Sequence, residues 1–224
     1  MNVKSVLKEM ESLGTAQNRK IYSRHGVNRE MFGLSYASQK KLAKTYKKEH
    51  ALSLELWQSG NHDARILACM IADPGRMDER LLNVWAAELD NYVITDAFSG
   101  MAVKAPDALS LMHKWTQSKE EWIAAAGWNM LAHMAMKNKE LDDGFFQPYL
   151  EAIKNDIHKC KNRVRYSMNN VLIAIGVRNE ELQQKAMDVA KKIGAVQVDH
   201  GETGCKTPDA HDYILKTVKY KQNR

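Results

Sequence analysis

The sequence predicts an all-α fold. Its 224 residues place apolar side chains three and four positions apart almost everywhere, which is the spacing of a helix with one buried face. The period-two alternation of strands is nearly absent. Only 4 prolines and 12 glycines are present, which would supply few turns for a many-stranded fold. With 44% hydrophobic residues, the chain has enough apolar surface to bury a core.

About ten or eleven helices with short connections are expected from this pattern. Apolar stripes mark the first ones, around residues 3–10 and over 42–57. The later helices are expected over residues 63–72, 78–89, 92–103, 106–115, 120–136, 144–158, 164–175 and 180–193. Asn61 or His62 would cap the helix at 63–72, and Pro74 prevents its continuation because proline lacks an amide hydrogen.

Many short helices in one chain are typical of a solenoid of antiparallel helix pairs. Helix openings recur near residues 64, 124 and 164, and the second spacing is close to the roughly 40–47 residues of HEAT-type repeats. We therefore predict a single repeat domain over residues 1–224. Its end, residues 195–224, is expected to be an irregular C-terminal cap, because Gly, Thr and Pro cluster there, with one last helix at 210–219.

Charge is distributed unevenly along the chain. Residues 1–50 carry a net charge of +7, residues 51–150 carry −6 and residues 151–224 carry +5, for a total of +6. The basic ends could bind a polyanion, of which nucleic acid is the commonest. The alternative is that lysine-rich helices simply present solvated faces. The acidic middle argues against DNA wrapped around the whole molecule.

Cysteine usage excludes two classes of small protein. Cys69, Cys160 and Cys205 are odd in number and widely spaced, which excludes a disulfide scaffold and a zinc-finger framework. Reduced thiols in a cytosolic protein are expected. No apolar run approaches the roughly 18 residues of a membrane helix, and the N-terminus does not have the pattern of a secretion signal. These features predict a cytoplasmic protein.

Several segments together resemble a known family. They are HGV at 25–27, FGLSY at 32–36, KLAK at 41–44, LW at 56–57, GNHDARILA at 60–68, IADP at 71–74, LDNY at 89–92 and VDHGETGCKTPDA at 198–210. Between about residues 20 and 215, the chain is similar to the bacterial DNA alkylation repair family of AlkD-like HEAT-repeat proteins. The resemblance implies a right-handed solenoid with DNA along a basic concave face. It also implies a DNA glycosylase for cationic N3- and N7-alkylpurines that needs no deep pocket for a flipped base.

The family's catalytic helix begins with an aromatic residue and carries an aspartate four positions later, on the same helix face. Carried over, this pair is Tyr92 and Asp96. A fixed carboxylate would stabilise the positive charge that builds on the sugar as the glycosidic bond breaks, and would position the attacking water. The aromatic ring would offer its π-face to the cation. The alternative for Asp96 is a polar helix residue that faces solvent or caps a neighbour.

The sequence departs from the family's pattern at three places. Tyr92 stands where the family usually has tryptophan, and it keeps a ring. An arginine that grips a DNA phosphate falls on Ala124 or Ala125, and a second tryptophan of the substrate cleft falls on Asn170. Loss of both supporting groups would lower the rate by about two to four decades. The resemblance therefore implies weakened or altered activity.

Basic residues at or near helix ends are the expected DNA contacts, since helix N-termini favour phosphates. The candidates are Arg65, Lys104, Arg163 and Arg165. For Arg65, the alternative is an ion pair within the repeats, with Asp63 and Asp73 nearby in sequence. Trp122 and Trp128 could replace the missing aromatic groups, but their helix positions favour core packing.

The tail contains a group of potential metal ligands: Asp199, His200, Cys205, Asp209 and His211. Their spacing matches no strong zinc pattern. We expect a loop that closes the end of the solenoid, and we expect neither a metal nor a cofactor in this protein.

Three functions are left open by the sequence. The first is an alkylpurine DNA glycosylase of reduced or altered activity, which would act on alkylated double-stranded DNA at the nucleoid. The second is a non-catalytic relative that binds damaged or distorted DNA. The third is a protein-binding helical solenoid, in line with the acidic middle segment. A monomer without membrane association is expected, because a solenoid with a polar terminal helix needs no partner to close it.

Overall fold

A computed structural model describes residues 2–223 of the chain. These residues form thirteen α-helices and three short 3-10 helices, without a strand among them. The α-helices are α1 Val3–Leu13, α2 Ala16–Arg24, α3 Tyr36–Thr45, α4 His50–Gln58, α5 His62–Ile71, α6 Glu79–Ala87, α7 Tyr92–Ala102, α8 Ala108–Thr116, α9 Glu121–Lys137, α10 Gln147–Asp156, α11 Asn162–Gly176, α12 Glu180–Ile193 and α13 Ala210–Gln222. The predicted all-α fold is confirmed.

Local sequence signals explain where the central helices begin. The side-chain oxygen of Asn61 accepts hydrogen bonds from the amides of Asp63 and Ala64, at 3.0 and 3.3 Å, so Asn61 and not His62 is the cap of α5. The oxygen of Asn91 caps α7 in the same way. Each cap satisfies backbone donors that the first helical turn leaves open. Pro74 opens a short 3-10 helix after the end of α5.

The chain forms two compact units. Unit 1 is built from the chain up to Ala108 together with Gly201–Thr203, and unit 2 from Leu109–His200 together with the chain from Gly204 onward. No helix within the described range is long and apolar enough to cross a membrane. The single repeat domain over the whole chain stays a prediction.

In unit 1, α5 packs against α3, α4 and α7. The core contains a stacked pair of indole rings, Trp57 on Trp85, with centroids 4.0 Å apart and planes 6° from parallel. Phe98 of α7 lies fully buried beside Trp57. Aromatic rings bury large apolar areas and stack with specific geometry. The three rings therefore hold α4, α6 and α7 in a fixed arrangement.

In unit 2, α9 and α11 form the central helix pair, and α11 also packs against α12 and α13. Two glycines permit close approaches. A Cβ at Gly127 of α9 would lie 2.5 Å from the backbone nitrogen of Thr116, and a Cβ at Gly176 of α11 would lie 2.5 Å from Cδ1 of Ile214. Residues 195–209 contain no helix or strand, and α13 follows them to Gln222, three residues beyond the expected end.

Candidate nucleic-acid site

The start of α7 carries the predicted catalytic pair. Tyr92, the first residue of the helix, is half-buried, and Asp96 is exposed one turn later. Residues four apart lie on the same helix face. The side-chain oxygen of Asn91 accepts from the amides of Val93 and Ile94 at 3.1 and 3.2 Å. This cap fixes the first turn of α7 and therefore the position of both side chains.

Tyr92 contacts a histidine for which the sequence predicted no role. His25, at the end of α2, is hydrogen-bonded through Nδ1 to the Tyr92 hydroxyl. The two rings meet nearly edge to face, with centroids 5.8 Å apart. The only sequence signal was the HGV segment at 25–27. Because a tryptophan has no hydroxyl, this contact is specific to the tyrosine found here.

The loop before α7 is held by two arginines of unit 1. Arg29 forms an ion pair with Asp90, and its guanidinium also donates to the carbonyl of Glu88 at 2.9 Å. Arg65 forms an ion pair with the Glu88 side chain. The same carboxylate accepts from the Trp57 indole nitrogen at 3.1 Å. The loop that leads into α7 is thus tied both to the chain near residue 29 and to α5.

Arg65 itself is a buried residue, only 6% exposed. Its Nε donates to the carbonyl of Trp57 at 3.2 Å, and its guanidinium lies 4.8 Å from the Trp57 ring centroid. Burial lowers the pKa of Arg65, followed by the nearby charge of Arg29, while Glu88 opposes the shift. Arg65 thus forms an ion pair within the repeats, which was the alternative to a DNA contact. Its acceptor is Glu88 and not Asp63 or Asp73.

Asp63 does not pair with Arg65 but binds the backbone of the loop at 32–34. Its carboxylate is fully buried and accepts three backbone hydrogen bonds, from Phe32 at 2.7 Å, Gly33 at 2.8 Å and Leu34 at 3.0 Å. It therefore anchors the loop at 32–34 to the start of α5. Charge-assisted bonds of this kind are stronger than those between neutral groups.

Lys104 lies exposed in the turn that follows α7. Most of the other exposed basic side chains of unit 1 come from the first fifty residues, among them Lys20 and Arg24 on α2, and Arg76 and Arg80 are exposed as well. Arg24 directly precedes His25, which contacts Tyr92. Unit 1 therefore has cationic side chains just before His25 in sequence and in the turn after α7, the helix that begins with Tyr92.

The remaining predicted DNA contacts lie at the start of α11 in unit 2. Arg163 is half-buried, with its guanidinium 5.7 Å from the Tyr166 ring centroid. Arg165 is half-buried and donates from Nη1 to the carbonyl of Gln197 at 3.0 Å. Asn170 is half-buried in the middle of the helix. Arg163 and Arg165 thus belong to unit 2, whereas Asp96 and Tyr92 belong to unit 1.

The two positions to which the resemblance assigns a phosphate-binding arginine lie in unit 2. Ala124 and Ala125 are each 2% exposed on α9. Trp128 is buried in the same unit, as expected for core packing, and Trp122 is half-buried. No cationic group is available at 124 or 125 to bind a phosphate.

The tail lies along one face of α11. Asn162 exchanges two hydrogen bonds with the backbone of Asp199, at 2.8 and 2.7 Å. Asn169 donates to the carbonyl of Pro208 at 3.0 Å. His200 is hydrogen-bonded to Thr207 at 2.9 Å. Since residues 162 and 169 are two turns apart on one helix face, α11 holds the tail as an ordered loop.

Two of the potential metal ligands in the tail, Asp209 and His211, lie close together. Atoms of Asp209, His211 and Asp212 lie within 4.8 Å of one another at the start of α13. Asp209 accepts a hydrogen bond from the amide of Asp212 at 3.0 Å and so caps the helix. This cap gives the first carboxylate a structural role.

Comparison with known proteins places these features in a family. The family model described as DNA alkylation repair enzyme matches residues 6–214. The chain belongs to this family. The uncharacterized protein Lin0241 of Listeria innocua is 29% identical over 214 residues, and Lmo0209 of Listeria monocytogenes is 28% identical over 214 residues. Each match covers 93% of this chain and 93% of the relative.

A solved structure shares the fold of this DNA alkylation repair family member. It is described as a new family of proteins related to the HEAT-like repeat DNA glycosylases with affinity for branched DNA structures. The match has a TM-score of 0.91 and 28% sequence identity, and covers 99% of this chain and 95% of that chain. The expected HEAT-like fold is confirmed.

Proposed function

We propose that this protein excises cationic N3- and N7-alkylpurines from double-stranded DNA, slowly, with Asp96 as the electrostatic catalyst. The observation that carries the proposal is the exposed carboxylate of Asp96 one turn after Tyr92, on a helix whose start is fixed by the Asn91 cap. Family membership supports a DNA substrate. We further propose that the protein acts as a monomer at the bacterial nucleoid, without a metal or cofactor.

The proposed reaction is hydrolysis of the N-glycosidic bond. The bond between sugar C1′ and purine N9 breaks, and its electron pair goes to the base, whose positive charge from alkylation at N3 or N7 is thereby neutralised as it leaves. The Asp96 carboxylate stabilises the positive charge that builds on the sugar. A water oxygen then bonds to C1′ and gives its proton to solvent or to the carboxylate. The Tyr92 ring offers its face to the cation, and His25 holds the ring through its hydroxyl.

Two missing groups account for the expected slow rate. Without a guanidinium at 124 or 125, one charge-assisted phosphate contact of about 1.5–3 kcal/mol is absent. Without a second ring at Asn170, a cation–π contact of about 1–2 kcal/mol is absent. If both act in the transition state, the rate falls by about two to four decades. The binding residues we propose are Lys104, Arg163 and Arg165; Arg65 is omitted because it is buried in an ion pair with Glu88.

A second candidate function is binding of branched DNA without base excision. It is supported by the described affinity of the related solved structure for branched DNA structures and by the two buried alanines at 124 and 125. Phosphate contacts position a protein on DNA and do not require a catalytic group. Under this alternative no base is excised, Asp96 has no catalytic role, and the exposed basic side chains bind the DNA.

A base-release assay separates the two functions. Duplex DNA treated with a methylating agent is incubated with the pure wild-type protein, Asp96→Asn, and Asp188→Asn, whose carboxylate is exposed on α12 of unit 2. We expect methylated purines to be released by the wild type and Asp188→Asn, and far more slowly by Asp96→Asn. Equal release by all three proteins would refute the role of Asp96.

Binding is measured on the same proteins with a four-way junction and a linear duplex of the same sequence. We expect Lys104→Gln and Arg163→Gln each to reduce the slope of log affinity against log salt by about 1, while the exposed Lys137→Gln control leaves it unchanged. No base release, together with tighter binding to the junction, would establish the second candidate function.

A further inference from the structure

Unit 2 contains a cleft that none of the proposed DNA chemistry uses. Its volume is about 860 Å³. Side chains of α8 and α10 form its two walls, and side chains of α9 and α11 form its floor. His113 of α8 and the hydroxyl of Tyr149 on α10 lie 3.2 Å apart. This hydrogen bond ties the two walls together and sets the separation between them.

None of the residues of α11 proposed for DNA lines the cleft. Val164 and Met168 of α11 line it, whereas Tyr166 and Asn170 are each two positions further along the helix. Two positions correspond to roughly 200° around a helix of 3.6 residues per turn. The cleft is therefore separate from the aromatic position at Asn170 and from the face of α11 that holds the tail.

The body of the cleft is apolar and aromatic. Trp128 on the floor meets Tyr149 edge to face, with centroids 6.0 Å apart. Phe145 meets Tyr149 at 5.6 Å. Burial raises the pKa of the Tyr149 hydroxyl, so this hydroxyl stays neutral in the physiological range. A mainly apolar lining with some polar side chains, here including Thr116 and Gln117, is typical of a small-molecule site. The volume falls within the range of about 300–1,000 Å³ of known pockets.

The rim of the cleft is cationic. Lys119 follows α8, and Lys159 and Lys161 follow α10, so all three occupy the connections that lead into the floor helices. Lys119 and Lys161 are exposed. The carboxylate among the lining residues belongs to Asp156, which accepts from Lys159 Nζ at 3.0 Å. The rim therefore keeps a net positive charge beside an apolar interior.

We propose that this cleft binds a small amphipathic anion, with an acyl or aromatic body against Trp128 and Tyr149 and its anionic head at Lys119 and Lys161. The apolar lining provides the affinity for the body, and the lysines select the charge of the head. The proposal does not depend on the proposed DNA chemistry.

Cys160 provides a built-in reporter, because it lines the cleft and is half-buried. The exposed thiol of Cys205 is removed by Cys205→Ser, and Cys69 is buried and its pKa is raised by burial. The reaction rate of Cys160 with a thiol reagent is measured in the full-length Cys205→Ser protein. Dodecanoate, dodecylammonium and 8-anilinonaphthalene-1-sulfonate are the probes, used below their micellar concentrations.

We expect dodecanoate and the sulfonate probe to slow the reaction of Cys160 in a saturable manner, and dodecylammonium to leave it unchanged. Lys161→Glu should weaken dodecanoate binding by about tenfold, because it replaces an attraction by a repulsion. Lys139→Glu, an exposed loop lysine outside the cleft, is the matched control.

Ala152→Trp, which places an indole between the walls, should abolish protection of Cys160 in a protein of unchanged helical circular dichroism. If this variant does not fold, the proposal is tested by comparing dodecanoate binding to Lys161→Glu and to Lys139→Glu. Equal protection by the amine and the carboxylate, or unchanged dodecanoate binding in the Lys161→Glu protein, would overturn the proposal. So would protection by a helical peptide but by neither small anion, since the occupant would then be a protein segment.

Discussion

Replacing Asp63 by asparagine tests how the loop at 32–34 is held to α5. The two carboxylate oxygens accept three backbone N–H groups, two at Oδ2 and one at Oδ1, within a fully buried site. Asparagine has the same shape but offers one oxygen. That oxygen can keep two of the N–H groups, and the third then faces the amide NH₂ and has no acceptor.

The cost follows from these three bonds. Neutralising the acceptor weakens each of the two retained bonds by about 1 kcal/mol, and the buried N–H without an acceptor costs about 1–3 kcal/mol. We therefore expect Asp63→Asn to lower the free energy of unfolding of unit 1 by about 3–5 kcal/mol. Solvent does not screen these hydrogen bonds, because the Asp63 side chain is 0% exposed.

The measurement combines urea denaturation with hydrogen exchange of the amide groups of Phe32, Gly33 and Leu34. Asp188→Asn on α12 is the control and should change stability by no more than about 0.5 kcal/mol. At least one of the three amides should exchange faster by about a hundredfold, since about 1.4 kcal/mol corresponds to a factor of ten. A loss below about 1 kcal/mol, with unchanged exchange, would refute the argument that Asp63 anchors this loop.

Three further predictions concern packing, pH and the buried arginine. Gly127→Ala should lower the melting temperature by several degrees, because its Cβ would lie 2.5 Å from the backbone nitrogen of Thr116, and overpacking costs about 1–3 kcal/mol; Gly204→Ala, with open space around it, should have no such effect. Burial lowers the pKa of His62 below 6.5. The unfolded chain therefore binds a proton at a higher pH than the folded protein does, and stability falls as the pH drops below 6.5. When the pH is lowered from about 7 to about 5, the melting temperature of His62→Gln should fall by less than that of the wild type. Arg65→Met should lower thermal stability but leave the salt dependence of DNA binding unchanged; a reduced salt slope in a stably folded variant would return Arg65 to the DNA interface.

The helices with strong local signals could be predicted from the sequence. Residues 63–72 were expected and α5 spans His62–Ile71, because an asparagine cap and a following proline mark its ends. By contrast, α2 at Ala16–Arg24 was not predicted. It has no buried residue and therefore shows no apolar stripe to reveal it.

The candidate site was only partly predictable, because its contacts join distant parts of the chain. The spacing of Tyr92 and Asp96 is local and could be seen in the sequence. His25 is 67 positions from Tyr92, and Glu88 is 23 positions from Arg65, so no local pattern pairs them. The sequence offered Asp63 as a neighbour for Arg65, but its carboxylate binds the loop at 32–34 instead.

The cleft of unit 2 had no sequence signal at all. The apolar residues on its floor, such as Trp128 and Met168, have the same helical spacing as residues of a filled core. Apolar residues spaced three and four positions apart show which face of a helix is apolar, but they do not show whether another helix covers that face. Only the separation of α8 from α10 reveals the space between them.

The central claim, that Asp96 drives base excision, is tested most directly by a single-turnover rate. The rate constant for release of 7-methylguanine from a defined duplex is measured with the wild type and with Asp96→Asn at saturating protein. We predict release by the wild type and a rate at least about a hundredfold lower in the variant, in line with the loss of one preorganised electrostatic group. Release at the same rate by both proteins, or by neither while both bind the duplex, would contradict the claim.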